Sequence, residues 1–393
     1  MLKVAQVITR IAPGGAANIL AMLANGAAER YKVTVFSGPE DADEARLDSL
    51  RGLHGVRIVV IPELVRAISP ASDFKAWKRL TRAFRSDGFD VVHTHTSKAG
   101  FLGRMAAAEA GVATIIHTPH GTIHTRNNKV EGLPRNPLGM WALKEAEKLA
   151  GRHTTWLTAL SEHERDVCVS LGLSRSDNTV VIPNGIDVDE FSAAPKKRRS
   201  ARKDLEVSTK EIVLLSLGRL SREKGVETLV EAFGAVAEAV PEARLIVAGD
   251  GPEKQRLLKT VAALDEAGKL VSFPGNVDNP VAAHAAADIF VMPSFYEGFG
   301  LSAVEAMASG TPVVASSVGG LPELLSHGKC GVLVRPGRAD ELAAALISLS
   351  RDSRERKRLA AAGRKRSKDF PVSKMLESYF NLYERTPAVK KTD

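Results

Sequence analysis

The chain has 393 residues, of which 44% are hydrophobic and 25% are charged, and its net charge is +8. This length exceeds what one hydrophobic core usually organises, so we expect two domains. Two cysteines, Cys168 and Cys330, are too few for a disulfide framework, and neither lies in a close Cys or His pair with zinc spacing. Because no apolar run approaches the roughly 20 residues of a membrane helix and the first residues do not resemble a signal peptide, we expect a cytoplasmic protein.

The positive charge is concentrated in residues 196–203 and 351–368. It indicates an attraction to anionic partners such as phosphorylated substrates or lipid head groups. The alternative is that both runs are solvated helix faces or a flexible linker. Aromatic residues make up 5% of the chain and do not interleave with the basic runs, so we expect no nucleic-acid partner.

Short β-branched runs alternate with helical patterns along the chain, which is typical of parallel sheets with crossover helices. The predicted strands of the first half are 4–9, 32–36, 56–62, 90–95, 114–118, 155–160 and 179–183, and those of the second half are 212–218, 244–249, 270–273, 288–292, 312–316 and 331–334.

The pattern stops near residues 184–203, where Pro, Gly and the basic run indicate a linker. We therefore predict an α/β protein with two Rossmann-like, doubly wound domains, residues 1–188 and 189–370, which face each other across a cleft. A final apolar helix and tail, residues 371–393, are expected to cross back over both domains. Ligands of such sheets bind at the carboxyl ends of the strands.

The segment around residues 294–305 carries most of the functional information. A strand runs into a Gly-rich loop, and a helix begins near Leu301. Free backbone N–H groups and the positive end of a helix dipole therefore lie close together, which predicts a phosphate-binding site. Glu297 lies in the loop, and Glu305 in the first turn or so of the helix leans back over it. Carboxylates accept hydroxyl groups, so the segment fits a nucleotide-sugar.

Two cations follow the first strand of the second half. Arg219 offers a planar fork and Lys224 a point charge, and together they can neutralise a diphosphate without a metal. The alternative is a pair of surface cations that cap local structure. Gly249, in the next tight turn, permits close approach of the backbone to a ligand. Val277, after a further strand, is a candidate for contact with the base or part of a structural loop.

The first half contains a second anion-ready loop, at Gly14 and Gly15, which opens a helix after the first strand. Lys98 and Arg104 follow a later strand, where they face either a phosphorylated acceptor or ordinary solvent. Four histidines end two strands, and alternation predicts that the first pair shares one face: His93, His95, His117 and His120. No carboxylate or cysteine set accompanies them, so we expect no metal site.

With these residues in view, the chain resembles the retaining nucleotide-sugar glycosyltransferases of family 4, which have the GT-B fold, and in particular bacterial surface-polysaccharide members. The likeness spans nearly the whole chain. The motifs that carry it are the Gly14-Gly15 loop, residues 90–100, 116–121, 161–162 and 183–187, Arg219 with Lys224, residues 249–252, and residues 297–305.

The resemblance implies a role for each of these residues. Arg219 and Lys224 would hold the donor pyrophosphate, Glu305 the ribose hydroxyls, and Glu297 the donor sugar, while His120 would face the anomeric region. The implied catalytic set is His120, Glu297, Arg219 and Lys224. Further contacts with the sugar donor are implied for Gly15, Gly249, Val277, Gly298, Phe299, Gly300 and Leu301, and contacts with the acceptor for Gly14, His95 and Lys98.

The resemblance also implies a hexosyltransferase that needs no metal or cofactor beyond its substrate, an NDP-sugar and most simply a UDP-sugar. The acceptor would be a glycan or lipid-linked precursor at the inner face of the cell membrane. The alternatives are a GT-B-type epimerase, transfer to a small soluble acceptor, or a polyanion-binding module without catalysis. Residues 74–85 mix aromatic with basic side chains and predict either peripheral contact with anionic membrane or an ordinary crossover helix.

Overall fold

The computed structural model describes residues 1–11, 14–39, 55–121, 136–277 and 279–385. The chain forms two compact units. The first contains the described residues as far as Asn184 and those from Ser373 onward, and the second contains Gly185–Val372. The chain thus passes from one unit to the other after Asn184, just before the predicted boundary at residue 188, and returns after Val372.

The first unit is built on a parallel sheet of seven strands in the order β3-β2-β1-β4-β5-β6-β7. The strands are β1 Lys3–Ile8, β2 Lys32–Ser37, β3 Val56–Val60, β4 Val91–His95, β5 Thr114–Thr118, β6 Trp156–Ala159 and β7 Thr179–Val181. Every strand predicted for this half is therefore confirmed. The order reverses between β1 and β4, which are hydrogen-bonded neighbours, so the switch point of this sheet lies there.

Helices cover this sheet because its strands are apolar on both faces. They are α1 Gly15–Ala28, α2 Pro70–Asp87, α3 Ser97–Ala110, α4 Pro137–Gly151 and α5 Glu162–Ser170. Helix α2 contains residues 74–85 and buries Ala76, Leu80 and Phe84, whose ring packs edge-on against Phe36 with centroids 5.4 Å apart. The crossover-helix interpretation is thus confirmed, while contact with a membrane stays a prediction. No helix of the described ranges has the length and apolar character that a membrane crossing requires.

The second unit repeats the architecture with six parallel strands in the order β10-β9-β8-β11-β12-β13. These are β8 Ile212–Leu217, β9 Ala243–Ala248, β10 Val271–Gly275, β11 Ile289–Met292, β12 Val313–Ser316 and β13 Val332–Val334. All six were predicted. Here the order reverses between β8 and β11. The helices are α6 Val188–Ser192, α7 Ala194–Asp204, α8 Val226–Ala239, α9 Lys254–Ala262, α10 Pro280–Ala286, α11 Leu301–Ser309, α12 Leu321–Leu324, α13 Ala339–Arg351 and α14 Ser353–Ser367.

The predicted linker at residues 184–203 is wrong in its second half, because the basic run forms helix α7. Arg202 is only 3% exposed and Arg198 lies beside it. Both guanidinium groups bind Asp288, at 2.6 Å for Arg198 and 3.0 Å for Arg202, and both also donate to backbone carbonyls at the end of α10. Two of the basic residues therefore anchor α7 to the second unit, and are not part of a solvated linker.

The last helix, α15 (Val372–Glu384), belongs to the first unit from Ser373 onward. Its apolar face is buried there, with Tyr379 and Tyr383 at 0% and 2% exposure. Tyr31 of the first unit packs edge-on against Phe380 with ring centroids 5.5 Å apart. The predicted return of this helix is thereby confirmed for the first unit. That the two domains face each other across a cleft stays a prediction.

Candidate active site

The two loops that flank the switch point of the second sheet carry the predicted residues. Lys224 ends a single 3₁₀ turn after β8, and Glu297 lies in the loop after β11. The Lys224 Nζ and Glu297 Oε2 atoms are 2.6 Å apart. The two side chains were predicted from segments more than seventy residues apart, and the structure brings them together at the place where ligands of open α/β sheets bind.

Glycine at position 225 allows these two loops to touch. Gly225 has a φ of +63°, and a Cβ there would lie 2.1 Å from the carbonyl oxygen of Pro293. The Phe295 N–H donates to the carbonyl of Glu223 at 2.8 Å, which ties the loops a second time. The backbone therefore fixes the separation of Lys224 and Glu297 independently of their side chains.

The Glu297 carboxylate stabilises the charged form of Lys224. Burial disfavours the ammonium, but the Glu297 carboxylate outweighs this effect and raises the pKa of Lys224 above its usual value. The lysine therefore stays cationic at neutral pH. Arg219, half-buried, follows β8 after one glycine and adds a second cation to the same strand end.

Helix α11 begins in this loop. Its cap, Gly300, has a φ of +95°, and the Gly300 carbonyl accepts from the N–H groups of Ala303 and Val304, so the N–H groups of Leu301 and Ser302 precede the first hydrogen bond of the helix. The Phe299 ring is 4% exposed and packs against Phe370 with centroids 5.4 Å apart. Phe299 and Gly298 can thus offer a ligand their backbone, as the sequence resemblance implies, but the Phe299 ring belongs to the core.

Glu305 is the fifth residue of α11, at the start of its second turn, which agrees with the predicted place in the first turn or so. Its carboxylate is 14% exposed and lies 3.5 Å from Nε2 of His284 on α10. His284 is 1% exposed, and neither ring nitrogen makes a hydrogen bond to a described residue. This histidine was not identified from the sequence, although a single histidine in the Ala-rich stretch before β11 was a usable signal.

Gly249 and Val277 also lie at the carboxyl ends of strands of this sheet, but farther from the switch point. Gly249 follows β9 with a φ of +130°, and a Cβ there would lie 1.9 Å from the Gly218 carbonyl oxygen, so the glycine lets two loops pack together. Val277 is half-buried and follows the edge strand β10. Contact of either residue with the nucleotide stays a prediction.

At the switch point of the first sheet, the Gly14-Gly15 loop opens α1 after β1. A Cβ at either glycine would meet no atom of a described residue within 4 Å, so the described part of the chain leaves room there for a ligand. Across from it, Thr96 follows β4 with a φ of +63°, a conformation that is strained for a β-branched residue. Such strain is often found at binding sites.

The two cations on α3 already have partners. Lys98 is 2.6 Å from Asp73 of α2 with its side chain 16% exposed, and it also donates to the Ala67 carbonyl. Arg104 is fully buried and forms an ion pair with Glu147 of α4. The interpretation of Arg104 as an acceptor-facing or solvent-facing cation is therefore wrong, because the side chain joins two helices. Contact of Lys98 with the acceptor stays a prediction.

The histidines form part of a buried polar cluster. His93 and His95 share one face of β4, as predicted, with ring centroids 4.1 Å apart. His95 Nδ1 is 2.9 Å from Nε2 of His120, which follows β5 with a φ of +58°. Burial lowers the pKa of His95 well below its usual value and that of His120 to about 4, so both rings are neutral at neutral pH.

Two members of this cluster were not identified from the sequence. Gln6 lies in the middle of the apolar strand β1, in register with His93, and is fully buried. Tyr383 reaches the cluster from α15. A glutamine among apolar strand residues was a usable signal, whereas the position of Tyr383 in the cluster depends on how α15 docks.

No group of three or more His, Cys, Asp or Glu side chains in the described ranges is arranged to hold a metal ion.

Comparison with known proteins identifies the class of protein that this geometry fits. Residues 197–366 match the family described as Glycosyl transferases group 1, and residues 13–190 match Glycosyltransferase Family 4. The chain is 30% identical over 302 residues to the UDP-Gal:alpha-D-GlcNAc-diphosphoundecaprenol alpha-1,3-galactosyltransferase of Escherichia coli, with 76% of each chain covered. It is also 32% identical over 318 residues to the D-inositol 3-phosphate glycosyltransferase of Pseudarthrobacter chlorophenolicus, covering 77% of this chain and 74% of that one.

Solved structures have the same fold as this chain. The crystal structure of Anabaena HepE in complex with UDP and glucose superposes with a TM-score of 0.82 at 24% identity, over 97% of this chain and 99% of that one. Sucrose-phosphate synthase from Thermosynechococcus elongatus gives a TM-score of 0.81 at 25% identity, over 98% of each chain. The fold is therefore GT-B. The chain belongs to the family 4 glycosyltransferases, enzymes that transfer sugar from a nucleotide-sugar.

Proposed function

We propose that the protein transfers a hexose from a UDP-sugar to a hydroxyl group of a lipid-linked saccharide at the inner face of the cell membrane, with retention of the anomeric configuration and without a metal. The observation that carries the proposal is the Lys224–Glu297 pair at the switch point, with Arg219 and the start of α11 beside it. The galactosyltransferase relative, whose name includes a diphosphoundecaprenol acceptor, supports the choice of acceptor.

In the proposed reaction, the bond between the anomeric carbon and the diphosphate oxygen breaks, and the acceptor oxygen attacks from the same face. The acceptor proton passes to the departing diphosphate. Arg219 and Lys224 stabilise the negative charge that develops on that diphosphate, and the N–H groups of Leu301 and Ser302 add to this effect. Glu297 would orient the sugar hydroxyls, and the two cations would supply the charge that a metal ion supplies in other enzymes.

The D-inositol 3-phosphate glycosyltransferases among the relatives favour a second candidate, transfer to a small phosphorylated acceptor. One experiment separates the candidates. The protein is incubated with UDP-, GDP- and ADP-hexoses, each with a GlcNAc-diphospho-lipid, with D-inositol 3-phosphate, or with no acceptor, in the presence and absence of EDTA. Products are identified by mass spectrometry, and the anomeric configuration is determined by NMR.

The proposal expects one glycosylated lipid product, formed from a UDP-hexose, with a retained anomeric configuration and the same rate in EDTA. Transfer to the inositol phosphate alone would favour the second candidate. A rearranged nucleotide-sugar without acceptor would indicate an epimerase, and an inverted product or complete inhibition by EDTA would contradict the mechanism.

A further inference from the structure

A continuous string of polar side chains runs through the interior of the first unit and ends at His120. His120 Nε2 contacts His95 Nδ1 at 2.9 Å, and His95 Nε2 contacts the Gln6 amide oxygen at 2.7 Å. The Gln6 amide nitrogen contacts the Tyr383 hydroxyl at 2.8 Å, and that hydroxyl contacts His93 Nδ1 at 2.9 Å. All members except His120 are at most 2% exposed.

The orientation of the Gln6 amide sets the direction of these hydrogen bonds. The Gln6 amide oxygen can only accept, so the hydrogen of neutral His95 is on Nε2. His95 Nδ1 must then accept, and the hydrogen of His120 is on its Nε2. The remaining nitrogen of His120, Nδ1, carries a lone pair and makes no hydrogen bond to a described residue.

The Tyr383 hydroxyl completes the hydrogen bonds of the Gln6 amide in this orientation. Its oxygen accepts the amide hydrogen, and its own hydrogen can pass to His93 Nδ1, whose Nε2–H then reaches Thr118 Oγ1 at 2.8 Å. If the Gln6 amide turned over, its NH₂ group would face His95 Nε2. Every hydrogen bond along the string would then reverse, and His120 Nδ1 would carry the proton.

We propose that Gln6 and Tyr383, acting through His95, are positioning residues that hold His120 in the tautomer with Nε2 protonated, so that Nδ1 accepts a hydrogen bond from a substrate hydroxyl. The second half of this proposal rests on the proposed function and on the role that the sequence resemblance implies for His120, which is to face the anomeric region of the donor. His120 is half-buried, and the Nε2 edge of its ring is held by His95.

The test uses the full chain labelled with ¹⁵N at its ten histidines. Long-range proton–nitrogen NMR correlation shows which ring nitrogen is protonated, and His120→Asn identifies the signals of His120. In the unaltered protein, we expect protonated Nε2 and unprotonated Nδ1 at His120. In Gln6→Met, which has similar size but no amide, we expect a mixture of tautomers and a kcat about tenfold lower, since about one hydrogen bond is lost.

Tyr383→Phe should shift the tautomers in the same direction but less, because the His95–Gln6 contact remains. Tyr379→Phe is the matched control. Tyr379 is equally buried on the same helix, and its hydroxyl contacts Thr118 and Thr158, beyond His93 at the end of the string farthest from His120, and not Gln6. It should lose comparable stability in urea and yet keep the His120 tautomer and kcat.

The proposal is overturned if His120 carries its proton on Nδ1 in the unaltered protein, or if Gln6→Met leaves the tautomer unchanged. Equal losses of kcat in Gln6→Met and Tyr379→Phe with one common tautomer would also overturn it, because the network would then be only structural. A shifted tautomer with an unchanged kcat would show instead that the role of His120 in the reaction is wrong, so failure of the proposed function is distinguishable.

Discussion

At the scale of single residues, Lys224 combines two requirements of a diphosphate site, since it is cationic at neutral pH and is held in place by Glu297. We expect Lys224→Ala and Arg219→Ala each to lower kcat/KM roughly 100-fold, because removing one group that stabilises transition-state charge costs about 3 kcal/mol. The measurement is the initial rate at varied concentrations of the sugar donor.

Lys269→Ala is the matched control for this prediction. It removes a lysine of the same unit that pairs with Glu266 on the surface, with its side chain 70% exposed. Its kinetics should equal those of the unaltered protein. Near-normal turnover in both the Lys224 and Arg219 variants would contradict the diphosphate site.

Glu305 allows a sharper test of nucleotide binding. If its carboxylate accepts the ribose hydroxyls, the unaltered protein should bind UDP about tenfold more tightly than 2′,3′-dideoxy-UDP, and Glu305→Gln should lose most of this preference. Isothermal titration calorimetry measures the four affinities. An undiminished preference in Glu305→Gln would show that the ribose lies elsewhere and that His284 and Glu305 form a structural contact.

At the scale of elements, the separation between the loops after β8 and β11 depends on Gly225. Gly225→Ala adds a Cβ that would lie 2.1 Å from the Pro293 oxygen, so the loops must move apart and carry Lys224 away from Glu297. We expect the free energy of unfolding to fall by about 2–4 kcal/mol and turnover to fall at least tenfold. Urea unfolding and donor kinetics check both effects.

Gly328→Ala is the control that separates the effect of backbone strain from the effect of the steric clash in Gly225→Ala. Gly328 has a φ of +92°, but a Cβ there would meet no atom of the described ranges within 4 Å. This variant should lose roughly 1–2 kcal/mol from backbone strain alone and keep its turnover. If the two variants behaved alike, the contact between the loops would not matter for the site.

The strands were predictable because they are short apolar runs, most of them rich in β-branched residues, between turn residues, and their number and order along the chain follow from that pattern. Helix α7 was not, because its charged surface resembles a linker until Asp288 is known to lie beneath it. The sequence likewise located Lys224 and Glu297 at strand ends. It could not show Tyr383 beside Gln6, since the two residues meet only when the last helix docks.

At the scale of the whole molecule, the pKa values of buried histidines make the stability of the first unit depend on pH. Burial lowers the pKa of His93, His95 and His117 well below 6.5, and that of His120 to about 4. In the unfolded chain these rings bind protons near pH 6.5, whereas the folded chain binds them only at lower pH. Between these pH values the unfolded state therefore holds more protons, and stability decreases as the pH falls.

We therefore expect the free energy of unfolding of the first unit to decrease steadily from pH 6.5 towards pH 4, with a contribution from His120 alone of up to about 3 kcal/mol. All three tryptophans, Trp77, Trp141 and Trp156, lie in this unit, so their fluorescence in urea reports on it. His93→Gln removes one of the buried rings and should flatten the pH dependence, whereas His153→Gln, at an exposed position, should leave it unchanged. Equal slopes in the three proteins would mean that carboxylates, and not the buried histidines, determine how the first unit responds to acid.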